Sequence, residues 1–353
     1  MPVGIPFLSI LTTYDMYTSS SARRRTNWLE IVLWILIFLL VYLIPSSPHL
    51  GFRVEGAEGL IPQLPAASSW MSRLFGLLAL ILVSGLAIYT GERYLLIEKG
   101  ERATMVLFFV ALMMTSPSLG ALSGLAVIFL QLILFLSFGL YQDTHQPRFY
   151  LFIGLLVGLL CLLTPLYGVL LPIILLAQYR LRSMENRSLV GLIAGVFLPV
   201  WILISILIFQ GFSVLTSYEK LLLRDFPLPL PREVSGMAFV SPLCYWSFVA
   251  CFLVGGVLYR RRFYRENVRH RDMFAVLHFY PLVLLLLVPF VAAEAPALLQ
   301  LTVVPIGFIV ARGMGAVPER MGLVMRALLL ALLLGQYLYT LGVFDLVERL
   351  LSL

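Results

Sequence analysis

The chain has 353 residues, of which 61% are hydrophobic and 12% are charged, and its 25 basic residues outnumber its 18 acidic ones by seven. This composition excludes an ordinary water-soluble domain, because a soluble core of this length needs far fewer apolar residues. The basic residues flank apolar runs and do not gather in one basic domain, so we do not expect a nucleic-acid-binding protein.

The apolar residues form ten or eleven separate continuous runs. Backbone groups that face lipid must form their hydrogen bonds within their own segment or within a closed barrel. A membrane barrel requires alternation of apolar and polar residues, which these runs lack. The sequence therefore predicts an all-α, polytopic transmembrane helix bundle of about eleven spans, with the lipid bilayer as its main partner.

The N-terminal segment, residues 1–27, is predicted to lie in the cytoplasm or along the membrane interface. Arg23, Arg24 and Arg25 precede the first span, residues 28–45, and basic residues beside a span favour the cytoplasmic side. The N-terminus is therefore predicted to be cytoplasmic. The next spans are predicted at residues 74–91, 103–117 and 121–141.

Residues 149–179 are too long for one upright span, because a helix of that length would measure about 46 Å against a hydrocarbon core of about 30 Å. Arg148 precedes this stretch, and Arg180 and Arg182 follow it, so both of its ends favour the same side. We therefore expect a hairpin bent at Thr164 and Pro165.

Five further spans complete a single transmembrane domain over residues 28–343, followed by a short tail, residues 344–353. These spans are predicted at 188–211, 239–259, 273–292, 297–311 and 321–343. With this topology, 19 of the 25 basic residues face the cytoplasm, as expected of a multi-pass protein of the bacterial inner membrane.

Two long loops, residues 46–73 and 212–238, are predicted on the outer face. The first contains Arg53, Glu55 and Glu58. A carboxylate just outside the first span can act as a general base or bind a divalent cation, and the alternative is an ordinary solvated loop. No cluster with the spacing of metal ligands was found in the sequence, so no metal site is predicted.

The second loop contains an amphipathic stretch with Lys220 and Arg224, followed by prolines in alternation with apolar residues. The two basic side chains could bind a lipid phosphate, or they could extend to the interface without any ligand. The proline segment could form a lid or a partner-binding strip, or it could be a stiff spacer.

Polar residues are rare inside the predicted spans. Gln131, Gln300 and Gln336 are interpreted as interhelical hydrogen-bonding groups, and His278 as a packing residue. Because ion-coupled transporters bury charged groups near the membrane centre, a transporter is only the third hypothesis.

The order of short hairpins between Thr115 and Trp201 carries a family resemblance. It includes Thr115-Ser-Pro-Ser-Leu-Gly, Phe152-Ile-Gly-Leu-Leu-Val-Gly-Leu, the Thr164-Pro165-Leu-Tyr turn and Gly191-Leu-Ile-Ala-Gly-Val-Phe-Leu-Pro199. This stretch resembles an uncharacterised family of bacterial polytopic inner-membrane proteins. More distantly, it resembles the membrane half of the C-type glycosyltransferases, which take sugar from a polyprenyl-phosphate donor.

The resemblance implies a small or degenerate glycosyltransferase-like protein that acts on a polyprenyl-phosphate-linked sugar at the outer face. Glu55 or Glu58 would be the catalytic carboxylate, and Arg53, Lys220 or Arg224 would hold the lipid phosphate. Those enzymes commonly have an acidic pair containing Asp near the end of the first helix, whereas residues 46–73 contain no Asp. The alternative hypothesis is a non-enzymatic membrane scaffold, a subunit that binds another envelope membrane protein.

Overall fold

The computed structural model describes residues 69–98, 100–115, 121–144, 146–163, 165–210, 240–290 and 295–340. All of its regular elements are helical. In chain order they are α1 (Ser69–Arg93), α2 (Arg102–Thr115), α3 (Ala121–Gly139), α4 (Pro147–Leu163), α5 (Leu170–Arg180), α6 (Asn186–Gln210), α7 (Val240–Phe263), α8 (Val268–Leu287), α9 (Ala295–Gly315) and α10 (Glu319–Thr340). Short 3-10 helices cover Pro165–Val169 and Val288–Phe290.

Three stretches of the described chain are long and apolar enough to cross a membrane: Asn186–Ser205, Val268–Phe290 and Leu298–Gly315. The prediction of an all-helical membrane protein is confirmed at this level. The predicted first span, residues 28–45, and both predicted outer loops apart from residues 69–73 lie outside the described residues.

Helix α9 is the centre of the bundle. It packs against α2, α3, α7, α8 and α10, and its apolar stretch Leu298–Gly315 is buried throughout. The close approach of α9 to α7 depends on glycine, since a Cβ added to Gly313 would lie 2.5 Å from the backbone oxygen of Gly255 on α7. Small residues at such crossings let the backbones of membrane helices pack closely.

The chain reverses direction around Pro165, as the flanking charges predict. Tyr150 at the start of α4 donates a hydrogen bond from its hydroxyl to the backbone oxygen of Ser183, which follows α5, over 2.6 Å. The two ends of the 149–179 stretch therefore lie at the same end of the bundle. The short 3-10 helix at Pro165–Val169 forms the bend.

The connections after α1, α3, α5, α7 and α9 meet at one end of the bundle. Polar contacts join these connections to one another, among them the bond of the Gln142 amide to the Leu181 oxygen and the pair between Arg180 and Asp272. Every described arginine except Arg73 belongs to this end, which we call the charged end. The loops that the sequence predicts on one side of the membrane therefore do gather together.

Candidate functional site: a buried ion cluster at the charged end

Six ionisable side chains meet where α2, α7, α8 and α9 begin or end. We call this group the Arg312 cluster, and it consists of Glu98, Glu101, Arg262, Glu266, His270 and Arg312. The helix dipoles favour the arrangement, because acidic groups are stabilised at helix N-termini and basic groups at C-termini. Glu101 directly precedes α2, whereas Arg262 and Arg312 lie in the last turns of α7 and α9.

Glu101 is the most enclosed carboxylate of the cluster, with 4% of the residue exposed. Its Oε1 accepts a hydrogen bond from Arg262 Nη1 over 2.6 Å, and its Oε2 accepts one from Arg312 Nη1 over 3.0 Å. The backbone amide of Glu98 also donates to Oε2 over 2.9 Å. Charge-assisted bonds of this kind offset the cost of removing the carboxylate from water.

Glycine at position 315 makes room for this carboxylate. A Cβ added to Gly315 would lie 1.9 Å from Glu101 Oε1, so any larger residue would have to displace the carboxylate from its arginines. The C-terminal end of α9 thus contributes both the shape and the charge of the site.

Arg312 binds carboxylates from two other parts of the chain. Its Nε lies 3.1 Å from Glu266 Oε1, and its Nη1 lies 3.2 Å from Glu98 Oε1. His270 Nδ1 lies 3.3 Å from Glu266 Oε2. Burial alone would raise the pKa of Glu266, but the contact with His270 and the positive charge of Arg312 outweigh it and lower this pKa to about 2. Glu266 is therefore an anion at neutral pH.

The cluster is exposed to solvent mainly at Glu98, whose side chain is half exposed. Arg262 at the end of α7 binds both Glu98 and Glu101, and Arg312 binds carboxylates of the α1–α2 loop and of the α7–α8 turn. The cluster therefore ties the α1–α2 loop to the α7–α8 turn and to α9. Chemically, the arrangement holds helix ends in place, with its charged groups bound to one another.

A second set of hydrogen-bonded side chains at the charged end consists of the neutral residues Ser137, Gln178 and Ser183. Gln178 on α5 donates to the Ser137 hydroxyl on α3 over 2.7 Å and accepts a bond from Ser183 over 2.8 Å. Beside it, the Tyr141 hydroxyl lies 3.3 Å from Asp272. These contacts join α3 and the segment after it to α5 and α8, so polar side chains also hold these elements together at the charged end.

The interior glutamines differ in their pairing. Gln131 on α3 donates to Thr90 on α1 over 2.9 Å, which confirms its predicted interhelical role. Gln300 on α9 is fully buried, and neither polar atom of its side-chain amide has a partner in the described part of the chain, so its interhelical role stays a prediction. The side chain of Gln336 lies outside the described residues. His278 packs against Phe252 and Tyr259, as predicted.

The candidate residues from the outer loops, Arg53, Glu55, Glu58, Lys220 and Arg224, lie outside the described residues. The catalytic and phosphate-binding roles assigned to them stay predictions. Among the residues that the structure describes, no group of three His, Cys, Asp or Glu side chains is arranged to hold a metal ion.

Sequence reasoning missed the Arg312 cluster because it assigned the charged loops to solvent. Arg312 was predicted to follow a span that ends at residue 311, but α9 continues to Gly315 and buries this arginine. A signal was present in the sequence. Glu98 and Glu101 immediately precede an apolar helix and Arg312 lies near the end of another, which is the placement that helix dipoles favour.

Comparison with known proteins gives no relative. No protein-family model, no curated protein and no solved structure matches this chain.

Proposed function

We propose that the chain is a non-enzymatic membrane subunit, a helical frame that holds another envelope membrane protein against α6. The observation that carries this proposal is the exposed side of α6 that points away from the bundle. This helix packs mainly against α4, and a stripe along its opposite side is exposed: Val190, Ile193, Phe197, Trp201, Ile204 and Ile208.

The spacing along this stripe is three or four residues at every step, which keeps all six side chains on one side of the helix. Seams with this spacing are the surfaces through which helices pack side by side. Phe197 and Trp201 are 65% and 73% exposed at its middle, and large aromatic residues dominate the binding energy of many interfaces. An apolar transmembrane helix of a partner protein fits this surface.

The rest of the described bundle would serve as the frame. The glycines of α4 and α6 hold these helices tightly together, and the Arg312 cluster fixes the helix ends at the charged end. A fixed frame presents the α6 stripe in one orientation, which reduces the entropy that a partner loses on binding.

We further propose about eleven spans in the bacterial inner membrane, with the charged end and the N-terminus in the cytoplasm. The excess of arginine at the charged end supports this orientation. Single cysteines at Asn267, at the charged end, and at Phe290, at the opposite end, would test it in a variant without native cysteines. A membrane-impermeant maleimide should label position 290 in intact cells and position 267 only after permeabilisation. The reverse pattern would contradict the orientation.

Photo-crosslinking tests the proposed partner. A photoreactive phenylalanine at position 197 or 201 should yield one cross-linked protein in near-stoichiometric amount. The same probe at Ile81 of α1 or Leu328 of α10, which are also exposed, should not. Cross-links to lipid alone at all four positions would overturn the proposal.

A separate variant can test the transferase hypothesis, which depends on the first outer loop, residues 46–73. Changing Glu55 and Glu58 together to Gln should leave envelope glycans unchanged if the chain is a scaffold. Loss of a glycan at an unchanged protein level would favour the enzyme instead.

A further inference from the structure

The arginines in the last turn of α7 and directly after it divide into two groups. Arg262 points into the Arg312 cluster, whereas Arg260, Arg261 and Arg265 are exposed and form no ion pair with a described carboxylate. The cluster therefore neutralises only part of this basic segment, and a set of guanidinium groups at the end of α7 is left for an external anion.

An exposed apolar stripe leads along α7 to these arginines. Trp246, Leu253 and Val257 are each more than half exposed, and helical geometry places them on the same side as Arg260 and Arg261. From Trp246 to Arg260 the stripe extends for about 21 Å. Tyr264 follows it at the charged end with 79% of its surface exposed.

This combination of an apolar stripe and arginines is complementary to a membrane lipid. Tryptophan and tyrosine prefer the two membrane interfaces, and the apolar residues between them suit an acyl chain. Arginine recognises a phosphate through two parallel hydrogen bonds. The exposed stripe of α6 differs, because a carboxylate, Glu185, is exposed beside Arg187 where that helix begins.

We propose that α7 carries a binding site for an anionic phospholipid, with the acyl chain along Leu253 and Val257 and the headgroup phosphate on Arg260 and Arg261. Arg265 and Tyr264 border the headgroup. The site requires both parts of the ligand: the phosphate alone lacks the apolar contact, and a zwitterionic lipid lacks the net negative charge.

Titration of the delipidated, detergent-solubilised protein with phosphatidylglycerol or phosphatidylcholine, followed by native mass spectrometry, tests the proposal. The wild-type chain should bind phosphatidylglycerol more tightly than phosphatidylcholine. Changing Arg260 and Arg261 together to Gln should weaken this binding about thirtyfold, since each basic group near an anionic headgroup contributes about 1 kcal/mol and about 1.4 kcal/mol corresponds to a factor of ten. The Lys–Lys variant at the same positions should keep most of the preference.

Arg182 and Arg187 supply the matched control, because their double change to Gln removes the same charge from another part of the charged end. It should leave the affinity unchanged. Glycerol 3-phosphate should not displace the bound lipid. Equal binding of the two lipids, equal losses in the two double Gln variants, or displacement by glycerol 3-phosphate would each overturn the proposal. Thermal unfolding of each variant shows whether the fold is retained.

Discussion

Arg312 and Glu101 form an ion pair inside the protein although 211 residues separate them in the chain. Arg312 Nη1 lies 3.0 Å from Glu101 Oε2, and both side chains are almost completely enclosed. Removing one partner of a buried pair costs about 3–5 kcal/mol when the other charge is left without a partner. Glu101 would keep its bond to Arg262, so this range is an upper limit. This pair is therefore expected to be the most sensitive polar contact at the charged end.

Changing Arg312 to Gln should lower the free energy of unfolding by up to about 3–5 kcal/mol, because Glu101 and Glu266 would lose their shared cation. Adding Glu101→Gln should cost less in this background than in the wild-type chain, which a double-mutant cycle of thermal unfolding in detergent would measure. Arg102→Gln is the control. Its ion pair with Glu92 is only partly buried and should contribute no more than about 1 kcal/mol. Equal losses for Arg312→Gln and Arg102→Gln would contradict the structural role of the cluster.

Acidification should weaken the cluster through Glu266. The pKa of this carboxyl group is about 2 in the folded chain, against an ordinary value of 4.5. Its contribution to stability is therefore complete above pH 4.5 and is lost as the pH falls towards 2. The difference in melting temperature between the wild-type chain and Glu266→Gln should be largest near pH 6 and should shrink by pH 3.

The exposed Glu185 provides the control for this measurement. Its change to Gln should alter the melting temperature little, and by a similar amount at both pH values. A difference between wild type and Glu266→Gln that is the same at pH 6 and pH 3 would argue against the lowered pKa.

The contact between α4 and α6 should not tolerate even one added methyl group. A Cβ on Gly154 would lie 2.1 Å from the backbone oxygen of Leu192, and one on Gly195 would lie 2.3 Å from that of Leu151. Gly154→Ala should destabilise the protein by about 1–3 kcal/mol because the helices must separate. Gly85→Ala on α1 meets no atom within 4 Å and should instead stabilise its helix by about 0.5–1 kcal/mol. Similar melting temperatures for the two variants would contradict the close packing.

A strained residue ends α1. Leu95 has a φ of 56°, and the amide of Leu96 donates to the oxygen of Gly91, as in the helix ends that usually contain glycine. Since Leu95 is 69% exposed, replacing it with Gly removes strain at little cost in packing. Leu95→Gly should raise the stability by up to about 1 kcal/mol. Leu95→Ala, which keeps the strain, should not. A lower melting temperature for the Gly variant than for the Ala variant would show that the side chain matters more.

Much of the helical layout could be predicted from the sequence, because apolar runs and the basic residues beside them can be recognised within short stretches of the chain. The predicted span 188–211 corresponds to α6 at 186–210, and the predicted span 121–141 corresponds to α3 at 121–139. The bend near Pro165 was predicted from the arginines at either end of its stretch. These features depend on neighbouring residues alone.

The Arg312 cluster could not be predicted in the same way. Apolar periodicity does not reveal which loops meet in space, and the run from Glu98 to Arg102 is typical of a solvated loop. The burial of Glu101 depends on α7 and α9, which are far away in sequence. For the same reason, the sequence predicted a hydrogen-bond partner for Gln300 that the described residues do not provide.

The central position of α9 has a consequence for biosynthesis. Translation at about 5–20 residues per second needs on the order of 10–40 s to proceed from Glu101 to Arg312. The helices α2, α3, α7 and α8 are made in the course of that interval, before the helix that packs against all four of them. The contacts of these four helices with α9, and the bond of Glu101 to Arg312, can therefore form only after all the other described neighbours of α9 except α10 have been made.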